Sequence, residues 1–173
     1  FRSTNVHNTL YIEGLEQNEF NELELFKMEE QTFGESIYFS EKEFIGCHYG
    51  YKDKCCLIHQ REFELNLDKI YIKDYLIKHS NTKKINSLNV IKAGLNFTLD
   101  NDVEVIYIEN GYMLIKNGIR AILNLDKNVN KHIQKTYISK GYGQITESKC
   151  IRIKNVPIEG NNITIKVINY NRG

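Results

Sequence analysis

The 173-residue chain is long enough for one domain, which at this size buries about 70% of the surface its unfolded form exposes and can hold a core without staples. Lysine and arginine (23) nearly balance aspartate and glutamate (22). A net charge of +1 gives no field to attract nucleic acid or an anionic membrane, so neither is expected as a partner.

No apolar run approaches the roughly 20 residues of a membrane-spanning helix, and nothing reads as a targeting segment. The chain opens "FRSTNVHNTLYIEG", without an initiator methionine, and enters a strand-like run within ten residues, so it reads as a piece of a longer protein. The stretch "FNELELFKMEE" (20–30) is the one with a helical composition. Its apolar residues at 20, 23, 25, 26 and 28 fit neither period, and its first half is read as strand. Alternation of period two is clear in "FELNL" (63–67), "KIYIKDYLI" (69–77), "VEVIYIE" (103–109), "CIRIKNV" (150–156) and "NITIKVI" (162–168). Turn signals separate the runs: "IEGLEQNE", "HSNTKK", "LDND", "ENGY", "KNGI" and "EGNN". Within "LIKNGIRAIL", Asn117-Gly118 is the strongest hairpin signal. Many short strands without alternating helices imply a single all-β domain over residues 1–173, folded as an antiparallel β-sandwich.

Four cysteines, Cys47, Cys55, Cys56 and Cys150, allow three pairings if all are bridged. Cys55 and Cys56 would face opposite sides of a strand and the CxxC metal spacing is missing, so buried free thiols are expected. The five histidines show no i, i+2 or i, i+4 pair. Taken singly, each reads as structural, with His79 and His132 in surface loops. His48 stands out by its context, "GCHYGY", where glycine in a strand marks a bulge or a close approach. Tyr49 and Tyr51 there offer stacking faces and hydroxyls to a sugar, against the plainer reading of an irregular aromatic strand end. Arg61 and Asp74 fit a structural pair across neighbouring strands.

Taken together and in order, four stretches resemble the heparinase II/III-like polysaccharide lyases. "FRSTNVHNTLYIEGLEQNE" is similar to the segment where an Arg-Ser/Thr-Thr run leads into His-Asn-Thr. "CHYGYKDKCCLIHQREFEL" is similar to His-x-Gly-Tyr followed by a His-x-Arg strand. "KIYIKDYLI" takes the place of a strand with a well-placed aspartate, and "TYISKGYGQITESKCIRIKN" resembles a late Tyr-Ser-x-x-Tyr-Gly stretch. The order holds from residue 1 to about 168.

The resemblance implies that this chain is the C-terminal β-sandwich of an α-toroid-plus-sandwich lyase, with the toroid and the first strands upstream. It implies cleavage of an acidic, uronic-acid-containing polysaccharide by β-elimination in a periplasmic, secreted or cell-surface enzyme. The catalytic Tyr and His positions are not in these residues, so the fragment alone is expected to be inert. It further implies a zinc in the full-length protein, with His7 as one ligand and the others upstream; tight zinc binding by the fragment is not expected. Asn8, His48 and Tyr51 are the candidate substrate-binding residues. The chain departs from the family where His48-Tyr49-Gly50-Tyr51 replaces the common His-Asp-Gly-Tyr, and where "KAGLNFTL" lacks a frequent histidine. The competing expectation is a non-catalytic carbohydrate-binding or scaffold sandwich, because fold does not fix function.

Overall fold

The computed structural model describes residues 2–21, 23–24, 27–79, 91–126, 129–157 and 161–168. A 3-10 turn (Thr4–Val6) precedes β1 (Leu10–Ile12), β2 (Glu35–Phe39) and β3 (Glu43–His48). One helical turn, α1 (Lys52–Cys55), leads to β4 (Leu57–Leu65) and β5 (Lys69–Lys78). Then follow β6 (Ala93–Thr98), β7 (Glu104–Ile108), β8 (Gly111–Lys116), β9 (Ile119–Asn124), β10 (Asn130–Ile138), β11 (Thr146–Lys154) and β12 (Asn161–Ile168).

The strands form two antiparallel sheets, one of four in the order β1-β6-β11-β10 and one of eight in the order β2-β3-β4-β5-β12-β9-β8-β7. The sandwich read from the alternation is the fold observed. On β5 the alternation is direct: Ile72, Asp74 and Leu76 are buried, while Lys73, Tyr75 and Ile77 lie on the other face. From the small sheet Leu95, Ile151 and Ile153, and from the large one Leu57, Ile72 and Ile163, join a single core with relative exposures of 5% or less. Each such side chain contributes about 1.5–3 kcal/mol of burial. Asp74, at 0% exposed, is the one charged carboxylate buried in that layer among the described residues.

The Asn117-Gly118 turn joins β8 to β9 with φ of 50° and 78°, the pair of left-handed residues of a type I′ hairpin. Tyr11 lies opposite Gly94 across β1 and β6, and its ring fills the space that a Cβ there would need.

Four expectations are corrected. The described residues of 20–30 form neither helix nor strand, because apolar residues that match no period cannot present a continuous face. The "FELNL" run is the end of a strand that begins at Leu57 and stops at Leu65. Cys55 and Cys56 do not sit on a strand: Cys55 ends α1 and Cys56 caps it in the left-handed conformation (φ 56°). All four thiols are free, but of them Cys150 alone is buried, the other three being half-buried. His132 lies within β10 rather than in a loop, whereas His79 is exposed just after β5. Of the turn signals, "HSNTKK" beyond His79 and the first half of "EGNN" lie outside the described residues.

Candidate functional site

The site grows from the register of three consecutive strands. Antiparallel pairing of β3 with β4 sets Phe44 opposite Phe63, Gly46 opposite Arg61 and His48 opposite His59. Pairing of β4 with β5 then sets Arg61 opposite Asp74. All of these side chains share the inner face of the large sheet, because positions two apart on a strand face one way. The result is a groove of about 410 Å³ whose lining includes Thr9, Phe44, Phe63, His48, His59 and Arg61.

A chain of hydrogen bonds runs from the groove into the core. The Gly50 N–H donates to His48 Nδ1 at 3.2 Å. His48 Nε2 and His59 Nδ1 are 2.9 Å apart, and His59 Nε2 is 2.6 Å from Asp74 Oδ1. One assignment satisfies every link: both rings neutral, each carrying its proton on Nε2, and each donating one step further inward. Asp74 also accepts from Arg61, Nε to Oδ1 at 2.7 Å and Nη2 to Oδ2 at 3.2 Å, a two-point contact between planar groups. Burial pushes the Asp74 carboxyl upward, but hydrogen bonds from His59 and Arg61 and the Arg61 charge outweigh it and hold the group below the ordinary carboxylate range. Burial, followed by the proximity of His59 and Arg61, pushes His48 down to about 3.

That depression carries a sign. The unfolded chain takes up a proton at His48 below pH ~6.5, while the folded chain does not until about pH 3, so the folded state loses stability as the pH falls between them. The loss of unfolding free energy between pH 7 and pH 4.5 is expected to be smaller in His48→Gln than in the wild type by on the order of 2 kcal/mol. Denaturant melts at the two pH values check this; equal losses in both proteins would remove His48 as the cause.

Asn8 stands beside the groove with its carbonyl oxygen accepting from Arg61 Nη1 at 2.7 Å. Its side-chain amide is bound to the backbone of Thr98, accepting from the N–H at 2.6 Å and donating to the carbonyl at 3.4 Å. His7 is exposed, in extended backbone just after the 3-10 turn. Tyr51 is a correction to the sugar-binding set. Its side chain is 0% exposed, with the hydroxyl donating to the Leu10 carbonyl at 3.2 Å, so it packs the core and presents no face to a sugar. Burial dominates in raising its phenol above the ordinary range.

Of the four sequence candidates, the structure thus places His48 in the groove, Asn8 at its rim, Tyr51 in the core and His7 on the surface nearby. Gly46 sits next to a register shift between β2 and β3, as a strand glycine suggests. His59 was the residue missed. Eleven residues separate it from His48, and the signal lay in the intervening turn, which makes 48 and 59 direct partners once the hairpin register is known.

The sequence matches the family described as Heparinase II/III-like, C-terminal, over residues 1–166. No curated protein matches it in sequence. Among solved structures, it is similar to a mutant of the heparan sulfate lyase HepC from Pedobacter heparinus, with a TM-score of 0.66 and 10% identity over 99% of this chain and 26% of that one. It is similar also to heparinase III, the BT4657 gene product, with a TM-score of 0.67 and 12% identity over 97% and 24% of the two chains. A further heparinase III structure gives 0.63 and 17% identity over 99% and 25%. The chain therefore spans about a quarter of the length of the structures it matches.

Proposed function

Since this chain belongs to the family of heparinase II/III-like C-terminal domains, we propose that it is the sandwich domain of a polysaccharide lyase. That lyase cleaves uronic-acid-containing glycans by β-elimination, in concert with an upstream helical toroid of the same polypeptide. The observation that carries the reading is the sandwich itself, which follows the solved lyases over 97–99% of this chain while accounting for only 24–26% of theirs. HepC is named as a heparan sulfate lyase, heparan sulfate being an acidic polysaccharide, and the same chemical class is proposed here.

In the reaction a base removes the proton on the carbon α to the uronate carboxylate, and an acid protonates the departing glycosidic oxygen. The carbon–oxygen bond breaks, a carbon–carbon double bond forms, and donors must hold the carboxylate as charge builds on it. Both ring nitrogens of His48 are hydrogen-bonded within the protein, which supports assigning the proton transfers to residues upstream. Asn8 and His48 are proposed to border the glycan, Asn8 as part of the rim and His48 through its ring edge.

A zinc is proposed for the full-length protein, with His7 giving one imidazole. A structural zinc normally takes four ligands, and among the described residues no group of three or more His, Cys, Asp or Glu is placed to hold a metal. The donors present fit one ligand, and the remainder would come from upstream.

The test is an assay of the full-length polypeptide on a panel of uronic-acid polysaccharides, following the ultraviolet absorbance of the new double bond. Growing absorbance on one glycan is expected, with residues 1–173 alone giving none. A flat trace from the folded full-length protein would shift the assignment to a non-catalytic carbohydrate-binding or scaffold domain.

A further inference from the structure

The segment that carries His7 is fastened to both sheets within three residues. The small sheet holds it through the Asn8 side chain, which spans both backbone groups of Thr98 on β6. It holds it again through the Asn96 N–H, which donates to the Thr9 carbonyl at 3.2 Å. From the large sheet comes Arg61 on β4, whose Nη1 donates to the Asn8 carbonyl at 2.7 Å. The His7 backbone is closed on itself as well, its N–H donating to Thr4 O at 3.2 Å and its carbonyl accepting from Thr9 N–H at 2.9 Å.

Arg61 has little freedom in how it does this. A guanidinium is planar, so once Nε and Nη2 are committed to the two oxygens of Asp74 the direction of Nη1 is fixed. Asp74 is itself fixed, being 0% exposed and bound to His59. The buried aspartate therefore orients the arginine, and the arginine sets the height of the Asn8 peptide above the groove. We infer that Arg61 is a positioning residue, which holds the His7–Asn8 segment in place so that the exposed His7 imidazole is presented in one location. A lysine at 61 can pair with Asp74 as a point charge, but it has no second donor in a fixed plane to reach Asn8 at the same time.

The consequence for metal rests on the zinc reading above; the positioning itself does not. Outer partners that orient a metal ligand typically change metal affinity by about 10–100-fold when replaced. The test compares full-length wild type, Arg61→Lys and His7→Ala by amide hydrogen exchange with mass readout of peptides, and by titration of the metal-free proteins with zinc. In Arg61→Lys, exchange over residues 2–12 is expected to quicken at least about tenfold while the β5 peptide (69–78) keeps its wild-type rate, and zinc affinity to fall about tenfold or more. Unchanged exchange over 2–12 would overturn the inference. Equal quickening of 2–12 and 69–78 would also overturn it, by making Arg61 a residue of general stability. Local quickening in Arg61→Lys, with wild-type zinc binding in His7→Ala, would uphold the positioning and discard His7 as a ligand.

Discussion

Replacing Asp74 with alanine is expected to lower the unfolding free energy by about 3–5 kcal/mol, the cost of leaving one member of a buried ion pair without the other. Three N–H groups lose their acceptor at once: Nε and Nη2 of Arg61 and Nε2 of His59. The side chains concerned are enclosed, at 0%, 4% and 16% exposed for Asp74, His59 and Arg61, so water does not readily take over. For a domain of this length each kcal/mol moves the thermal midpoint by roughly 2–4 °C, so a fall on the order of 10 °C is expected in a melting curve. Asp74→Asn is no rescue, since its NH2 would meet an arginine N–H donor to donor.

The effect also depends on pH with a definite sign. Because the folded carboxyl is held below its ordinary value, its contribution is complete above the unfolded value of ~3.9 and fades as the pH falls through the folded one. The gap between wild type and Asp74→Ala should therefore narrow in strong acid. A loss below about 1 kcal/mol at neutral pH would mean that this pair is worth no more than one on the surface.

Gly111→Ala is expected to cost about 3 kcal/mol, mainly through a clash of the new Cβ, added to a φ of 159° that L side chains rarely adopt. A Cβ on residue 111 would lie 1.9 Å from the carbonyl oxygen of Leu123 and 3.0 Å from its carbonyl carbon. Those atoms belong to the backbone of the neighbouring strand β9 and cannot swing aside as a side-chain tip does. Relief requires β8 to part from β9 at the Gly111–Asn124 pair, beside the buried Tyr112 and Leu123. Overpacking of this kind costs about 1–3 kcal/mol and sometimes more, and backbone against backbone belongs at the upper end. Gly118→Ala is the natural control. Nothing lies within 4 Å of a Cβ there, and only the left-handed φ of 78° opposes it, at about 1–2 kcal/mol. Urea denaturation of the two variants separates them; equal losses would show that the strand contact relaxes without cost.

The sheets were legible in the sequence because their cause is local. Alternation at 69–77 and 162–168, β-branched and aromatic side chains, and an Asn-Gly pair between apolar runs act within a few residues, and the strands and the turn they mark stand in the structure at those places in the chain. The pairing of Arg61 with Asp74 was likewise readable, from opposite charges on adjacent strands with one short turn between them. The four ordered stretches around His7, His48, Asp74 and Tyr142 placed the chain in its family, since order along a chain needs no coordinates.

What the tertiary structure alone decided is which of these residues meet, and on which side of a surface each one lies. His48 and His59 become partners only when α1 fixes the β3–β4 register, and a shift of one residue would turn both rings to the opposite face. Tyr51 and Tyr49 are near neighbours in sequence and equally aromatic, yet the first is sealed beneath Leu10 and the second carries its hydroxyl to Glu35 on the outside. Arg61 reaches Asn8 across 53 positions of sequence because two sheets pack face to face at that point. Burial and long-range contact are properties of the packed whole, set by the sum of all strand registers, and no window of the sequence contains that sum.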